Sequence, residues 1–177
     1  MGGGRGKRRK MTLTILSASE AQLFSPILAA SKKWHGLEPQ DMNRRALDEF
    51  LASSDTMRIY KGAELLFASR RGGLLALIEY INGFAADYQG VVVLDKVMGN
   101  AAALLSIKAG CQEVFSPLGS RLAIATLKKY AIGYHLDHIV PHIQQAHGEG
   151  MCPMERLSMD KGPEEFHALL KGMLNKP

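Results

Sequence analysis

Short apolar runs alternate with segments of helical spacing in the second half of the chain. Residues 91–94 form a continuous apolar run, the pattern of a strand that is covered on both faces. The next segment, from about Lys96 to Ala109, is apolar nearly all round, with Lys108 in its last turn. This pattern predicts a buried helix with Gly110 at the C′ position.

The same alternation continues toward the C-terminus. Residues 113–116 predict a strand, Ser116 and Pro117 the N-cap and first turn of another helix, and residues 134–140 a third strand closed by Pro141. Strand, helix, strand, helix and strand at this spacing predict right-handed βαβ crossovers and a mostly parallel sheet.

Two shorter strand patterns precede this region. The sequences MRIY from Met57 and ELLFAS from Glu64 flank a turn at Lys61 and Gly62, which predicts a β-hairpin. Segment 74–84 has apolar residues at helical spacing and predicts a helix with one buried face. The predicted fold class is therefore α/β, a three-layer sandwich with a mostly parallel sheet and an antiparallel N-terminal hairpin.

The chain divides into three parts. We expect residues 1–10 to be a disordered basic tail, residues 11–55 a lead-in segment with a helix that starts at Asp41, and residues 56–177 one α/β domain. Pro163 begins a predicted C-terminal helix. A chain of 177 residues is long enough for such a domain to bury a core without disulfides or a metal.

The net charge of +5 comes from the first ten residues. Five basic residues there account for the excess of 22 basic over 17 acidic side chains, so residues 11–177 are formally neutral. The folded part lacks the electrostatic signature of nucleic-acid binding, and nucleic acid is not an expected partner. The tail is a disordered extension, the product of a start codon assigned too far upstream, or a weak contact for nucleic acid or a membrane surface.

The apolar segments and the cysteines indicate the compartment. No apolar run approaches the roughly 20 residues that span a bilayer, so no membrane contact of that kind is expected. Ser19, Glu20 and Gln22 interrupt the apolar segment after the basic cluster, which argues against a signal peptide. Cys111 and Cys152 lie far apart in the chain, which favours the reducing cytoplasm. A soluble cytoplasmic protein, able to form homo-oligomers, is expected.

A polar cluster stands where the predicted strand 91–94 meets the next helix. Asp95, Lys96, Gly99 and Asn100 occupy this junction, the place at which open α/β sheets bind ligands. Free backbone N–H groups, the helix dipole and Lys96 would favour an anion there, and Gly99 would let a phosphate or carboxylate approach closely. Alternatively, Asp95 is an ordinary N-cap of a helix that packs through small alanines.

Two further groups are candidates for ligand contact, and the first of them could line the same crevice. Ser116 and Ser120 lie at the start of the neighbouring helix, although N-capping alone accounts for at least one of them. Cys152 and Glu155 belong to a Cys-Pro-x-Glu sequence, which predicts a tight loop that brings a thiol and a carboxylate to one place. His147 is the nearest base that could activate Cys152 as a nucleophile; alternatively, Cys152 packs beneath the loop.

The sequence lacks the common metal and nucleotide motifs. His138, His142, His147 and Cys152 do not have the spacing of a compact zinc site, so neither a metal nor another cofactor is expected. No GxGxxG, GxxxxGK[ST] or GxSxG sequence occurs, which removes the commonest dinucleotide, P-loop and hydrolase interpretations.

Three segments carry a resemblance to a known family. LDKVMGNAAALL, IVPHI and above all GMCPMERLS resemble a family of uncharacterised prokaryotic proteins, a domain of unknown function placed in the cytidine-deaminase-like superfamily. The resemblance covers about residues 56–160 and implies a cytidine-deaminase-like α/β sandwich for the domain at 56–177. It brings no established activity with it.

The chain departs from zinc deaminases at both predicted helix starts. Those enzymes hold zinc with His or Cys ligands at two helix starts, and a nearby Glu transfers protons. Here the first start reads Asp95, Lys96 and Val97, and the second begins Ser116 and Pro117. Neither start supplies a thiolate, an imidazole or the required Glu, so hydrolytic deamination through zinc is not expected.

The sequence therefore predicts a domain that binds a small anionic or nucleotide-like ligand at the Asp95/Lys96 helix start without a catalytic zinc. The alternative is an enzyme that acts on a nucleotide-like substrate. Such an enzyme would use Asp95 and Lys96, or Cys152 and His147, for acid–base or nucleophilic chemistry.

Overall fold

A computed structural model describes residues 39–145 and 150–174. The helices of this part are α1 (Pro39–Leu51), α2 (Leu75–Gly83), α3 (Asn100–Lys108), α4 (Arg121–Lys129), α5 (Pro153–Ser158) and α6 (Pro163–Leu174). Its strands are β1 (Met57–Lys61), β2 (Glu64–Ser69), β3 (Val91–Asp95), β4 (Cys111–Ser120) and β5 (Gly133–Val140). The predicted basic tail and most of the lead-in segment lie outside the described residues.

The five strands form one mixed sheet in the order β2-β1-β3-β4-β5. Strands β3, β4 and β5 are parallel to one another, and α3 and α4 connect them, as the alternating pattern predicts. The predicted antiparallel hairpin is confirmed, and it forms one edge of the sheet with β2 as the outer strand. Strand β1 lies inside the sheet, antiparallel to both β2 and β3, and its Met57 pairs with Asp95.

Helices cover both faces of the sheet, so the predicted three-layer α/β architecture is confirmed. One face packs against α2, α3, α4 and α6 in a large apolar core, and α3 is buried along most of its length. The other face packs against α1, whose Phe50 is fully buried against Leu94 and Phe115. In the described residues, no helix is both long enough and apolar enough to cross a membrane.

Helix α3 begins at Asn100, later than the sequence predicts, and Asp95 is therefore not its N-cap. The backbone of Met98 continues to pair with β4: its N–H donates to the Leu118 carbonyl at 2.8 Å, and its carbonyl accepts from the Ser120 N–H at 3.0 Å. Because these groups stay in the sheet, the helix cannot start before them. The N-cap is Gly99, which has no side chain to accept a hydrogen bond.

Strand β4 is longer than predicted, and the proposed helix start at Ser116 and Pro117 is wrong. Helix α4 starts after Ser120, whose hydroxyl accepts a hydrogen bond from the Ala123 N–H at 3.0 Å. Pro117 has no backbone N–H to donate, and the β4–β5 ladder skips it: Ser116 pairs with Leu136 and Leu118 with His138.

Two further predictions of local structure need correction. Helix α1 begins at Pro39, so Asp41 lies within the helix instead of capping it. The predicted loop at Cys-Pro-x-Glu is a short helix, α5, because Pro153 is well placed in a first helical turn. By contrast, Gly110 follows α3 with a φ of 76°, as expected for a C′ glycine. The predicted C-terminal helix from Pro163 is confirmed.

Candidate functional site

A cavity of about 320 Å³ lies beyond the carboxyl end of β3. It is enclosed by the link from β3 to α3, the first residues of α3 and the start of α5. Of the predicted site residues, it brings together Asp95, Lys96, Gly99, Cys152 and Glu155. Its apolar walls include Leu74, Val97, Ala101, Ala102, Ile143 and Met154.

Asp95 presents a carboxyl group to the cavity. Its Oδ1 accepts a hydrogen bond from the Val97 N–H at 3.1 Å. Burial raises the pKa of this carboxyl from 3.8 to about 7, although the backbone N–H groups of Val97 and Lys96 partly oppose the shift. In the described part of the chain, no basic side chain pairs with Asp95. Among the described residues, backbone N–H groups are therefore what stabilises the charged form of this carboxyl.

Lys96 turns its ammonium group away from the cavity. Its Nζ donates to the carbonyl oxygens of Phe50 at 3.2 Å and Leu51 at 3.1 Å, and lies 4.6 Å from the centre of the Phe50 ring. These carbonyls are at the C-terminal end of α1, where a positive charge is favourable. Lys96 thus links the end of α1 to the sheet, and its ammonium group is bound to the α1 carbonyls.

Glu155 is the acceptor that the N-terminus of α3 requires. Its side chain is only 2% exposed, and its Oε2 accepts from the Asn100 N–H at 2.6 Å. The other oxygen, Oε1, lies 3.4 Å from the Ile143 N–H. A carboxylate at this end of a helix satisfies a free donor and interacts favourably with the helix dipole. Glu155 therefore occupies the position that the sequence assigned to an anionic ligand.

Gly99 leaves room for the Glu155 carboxylate. A Cβ atom on Gly99 would lie 2.5 Å from Oε2 of Glu155 and 2.9 Å from Cγ1 of Ile143. The sequence suggested that this glycine allows a phosphate or carboxylate to approach, and the carboxylate that approaches is the protein's own.

The substitution Gly99→Ala should therefore destabilise the fold. Either Glu155 or Ile143 must move, and we expect a loss of about 1–3 kcal/mol in the free energy of unfolding, as for other overpacked sites. Urea unfolding would measure it. Gly72→Ala is the matched control, since nothing lies within 4 Å of its added Cβ. An equal effect of the two substitutions would contradict the role given to Gly99.

Asn100 ties three helices together behind the cavity. Its Nδ2 donates to the carbonyl and the hydroxyl of Ser158, at 3.0 and 2.9 Å, and its Oδ1 accepts from the Thr126 hydroxyl. The Ser158 hydroxyl in turn donates to the Glu155 carbonyl at 2.7 Å. The side chain does not line the cavity. No local sequence pattern indicates Thr126 or Ser158, because their contact with Asn100 depends on tertiary packing.

Ser116 and Ser120 lie away from the cavity. Both residues are buried, and their hydroxyls have partners within the chain. Ser116 donates to the Leu118 carbonyl at 2.8 Å, and Ser120 caps α4. These contacts account for both serines, and a role in ligand contact remains a prediction for them.

Cys152 lines the cavity immediately before α5. Its N–H donates to the Ile143 carbonyl at 2.8 Å, and its side chain makes no capping hydrogen bond. His147 lies outside the described residues, so the proposed Cys152–His147 pair stays a prediction. Within residues 39–145 and 150–174, no three His, Cys, Asp or Glu side chains are grouped so that they could hold a metal ion.

Thr56 and Leu74 also line the cavity, and sequence reasoning missed both. Thr56 precedes β1, and its carbonyl accepts from the Lys96 N–H at 3.2 Å. The signal that could have located Thr56 is the pairing of β1 with β3, which places Met57 opposite Asp95. That pairing joins segments almost forty residues apart, and no local pattern reports it.

Comparisons with known proteins identify the family. The family described as "Domain of unknown function (DUF1893)" matches residues 46–173. Among solved structures, the chain is similar to a DUF1893 family protein from Thermotoga maritima. The two are 26% identical, with a TM-score of 0.69, and the match covers 78% of this chain and 93% of that chain. A search of curated proteins found no significant match. The family match spans well over half of this chain, and the chain therefore belongs to the DUF1893 family.

Proposed function

We propose that this domain binds a small nucleoside-sized molecule in the Asp95 cavity, without a catalytic zinc. The observation that carries the proposal is the cavity itself, about 320 Å³ in volume, at the carboxyl end of a parallel strand. Open α/β sheets bind ligands at this position, and ligand cavities combine apolar walls with a few polar groups. Here the polar groups include Asp95, Cys152 and Glu155.

A set of nucleosides and nucleotides would test the proposal. Adenosine, cytidine and their 5′-monophosphates would be titrated into the protein while the backbone amides are followed by NMR. We expect at least one compound to shift the amides of Val97, Ala101 and Ala102. Val97→Trp should abolish these shifts, because Val97 lines the cavity and its exposed side chain leaves room for a larger group.

The matched control is Ile139→Trp, which changes an exposed residue on β5 outside the cavity. It should leave the titrations unchanged. If binding occurs but moves amides elsewhere, or if Val97→Trp and Ile139→Trp behave alike, the cavity is not the ligand site.

Acid–base catalysis is the second candidate function. The raised pKa of Asp95, about 7, means that this carboxyl changes its protonation state near neutral pH, as a general acid or base requires. Cys152 lines the same cavity and could take part. Asp95→Asn should then abolish turnover of a bound compound while binding is retained. If Asp95→Asn weakens binding and the wild type shows no turnover, the result favours the simple binding function.

Two finer assignments belong to the same proposal. A cytidine-deaminase-like fold is supported by the βαβ units and by the resemblance of the segments around Asp95 and Cys152. A cytoplasmic location is supported by Cys111 and Cys152, which are both free thiols.

A further inference from the structure

We infer that the ligand presents a hydrogen-bond donor or a cationic group, such as an amine or amidine, to Asp95. This inference rests on the proposed binding function and names the chemistry of its ligand. It replaces the anionic group that the sequence alone suggested.

Two groups that could attract an anion are already bound within the protein. Lys96 is the basic residue among those that line the cavity, and its Nζ is bound to the carbonyls at the end of α1. At the start of α3, the Asn100 N–H already donates to Glu155. A phosphate or carboxylate in the cavity would therefore find the Lys96 ammonium group and the first N–H of α3 already engaged.

Glu155 already has hydrogen-bond donors within the protein, and the Thr56 hydroxyl is also engaged. Both oxygens of Glu155 face backbone N–H groups, those of Asn100 and Ile143. The Thr56 hydroxyl is directed to the carbonyls of Ser69 and Arg71. Asp95 differs from both: among residues 39–145 and 150–174, the donors that reach its carboxyl are backbone N–H groups, and Asp95 lines the cavity. A donor on the ligand would supply a side-chain-like partner that these residues do not.

The carboxyl groups near the cavity also favour a cation electrostatically. Asp95 and Glu155 line the same cavity, and its walls are mainly apolar. Charges interact more strongly where the surroundings are poorly polarisable, so an anion beside these carboxyls would be repelled and a cation attracted. A planar amidine could also donate two parallel hydrogen bonds to one carboxylate, a strong and directional arrangement.

Three compounds of almost equal shape would test the inference. Benzamidine is cationic, benzamide is neutral and benzoate is anionic. Each would be titrated at pH 8 while the amides of Val97, Ala101 and Ala102 are followed by NMR. We expect benzamidine to bind at least about tenfold more tightly than benzoate, because charge-assisted pairs are the stronger ones.

Asp95→Asn should weaken benzamidine binding by about tenfold or more and bring it near that of benzamide, since it removes the charge and keeps the shape. Asp87→Asn is the matched control, because Asp87 is exposed and lies outside the cavity. It should leave all three affinities unchanged.

The possible failures are distinct. Equal binding of benzamidine and benzoate, stronger binding of benzoate, or benzamidine binding that Asp95→Asn does not weaken would each overturn the inference, while binding at the cavity would stand. If neither these compounds nor the nucleosides and nucleotides shift the cavity amides, the proposed function fails together with the inference.

Discussion

Replacing Glu155 with alanine should lower the free energy of unfolding by about 3–5 kcal/mol. The substitution removes the acceptor of the Asn100 N–H at the buried start of α3, and it also leaves the Ile143 N–H without its carboxylate. In addition, it opens a void where a fully buried side chain stood.

Urea unfolding of two more variants would separate the contributions. Glu155→Gln keeps the size and one acceptor oxygen while it removes the charge, so we expect a smaller loss of about 1–2 kcal/mol. Glu165→Ala on the exposed face of α6 should change stability by less than about 0.5 kcal/mol, because its ion pair with Lys161 is solvated. A loss for Glu155→Ala as small as that of the control would contradict the capping role.

Replacing Asp95 with asparagine should stabilise the protein at neutral and alkaline pH. Burial raises the pKa of this carboxyl from 3.8 to about 7 in the folded state. Well below the unfolded pKa of 3.8, the carboxyl is protonated in both states and contributes nothing to the difference between them. As the pH rises from 4 to 7, the unfolded chain releases its proton while the folded protein keeps it, so the wild type loses stability.

Asparagine does not titrate, and its side-chain oxygen can still accept from the Val97 N–H. The stability of Asp95→Asn relative to the wild type should therefore grow by about 2–4 kcal/mol between pH 4 and pH 8, since each pKa unit corresponds to 1.36 kcal/mol. Urea unfolding at four pH values would measure this difference, with Asp87→Asn as the exposed control. A difference that is constant with pH would show that Asp95 has an ordinary pKa in the folded protein.

The parts of the fold that the sequence predicted are those with a local signal. The apolar run at 91–94, the turn at Gly62 and the helix from Pro163 are each encoded by neighbouring residues, and the structure confirms all three. The start of α3 was misplaced because the backbone of Met98 pairs with β4, and β4 is distant in sequence. The helix start predicted at Ser116 was misplaced for a similar reason. Ser116 stays in β4 because the carboxyl-terminal half of β4 pairs with β5.

The candidate site shows the same limit. Asp95 and Gly99 could be placed at one junction from the sequence, because the end of a buried strand is recognisable, and both line the cavity. Glu155 was a predicted ligand contact on a loop, and no local pattern indicated that it lies beside Gly99. Sequence reasoning could not locate the direction of the Lys96 side chain, which depends on the packing of α1 across the sheet. Nor could it show that Glu155 reaches α3, which needs a contact over fifty-five residues. The inferred preference of the cavity for a donor or cationic group rests in part on those two contacts.

Helix α3 imposes a limit on how such a cavity can diversify. Ala101 and Ala102 line the cavity and at the same time belong to the apolar core, at 4% and 3% exposure. A larger residue at either position would disturb the packing of the domain as well as the cavity. Val97 and Met154 line the cavity without being fully buried. Changes of ligand among related proteins should therefore accumulate at such partly exposed lining positions, while Ala101 and Ala102 stay constant.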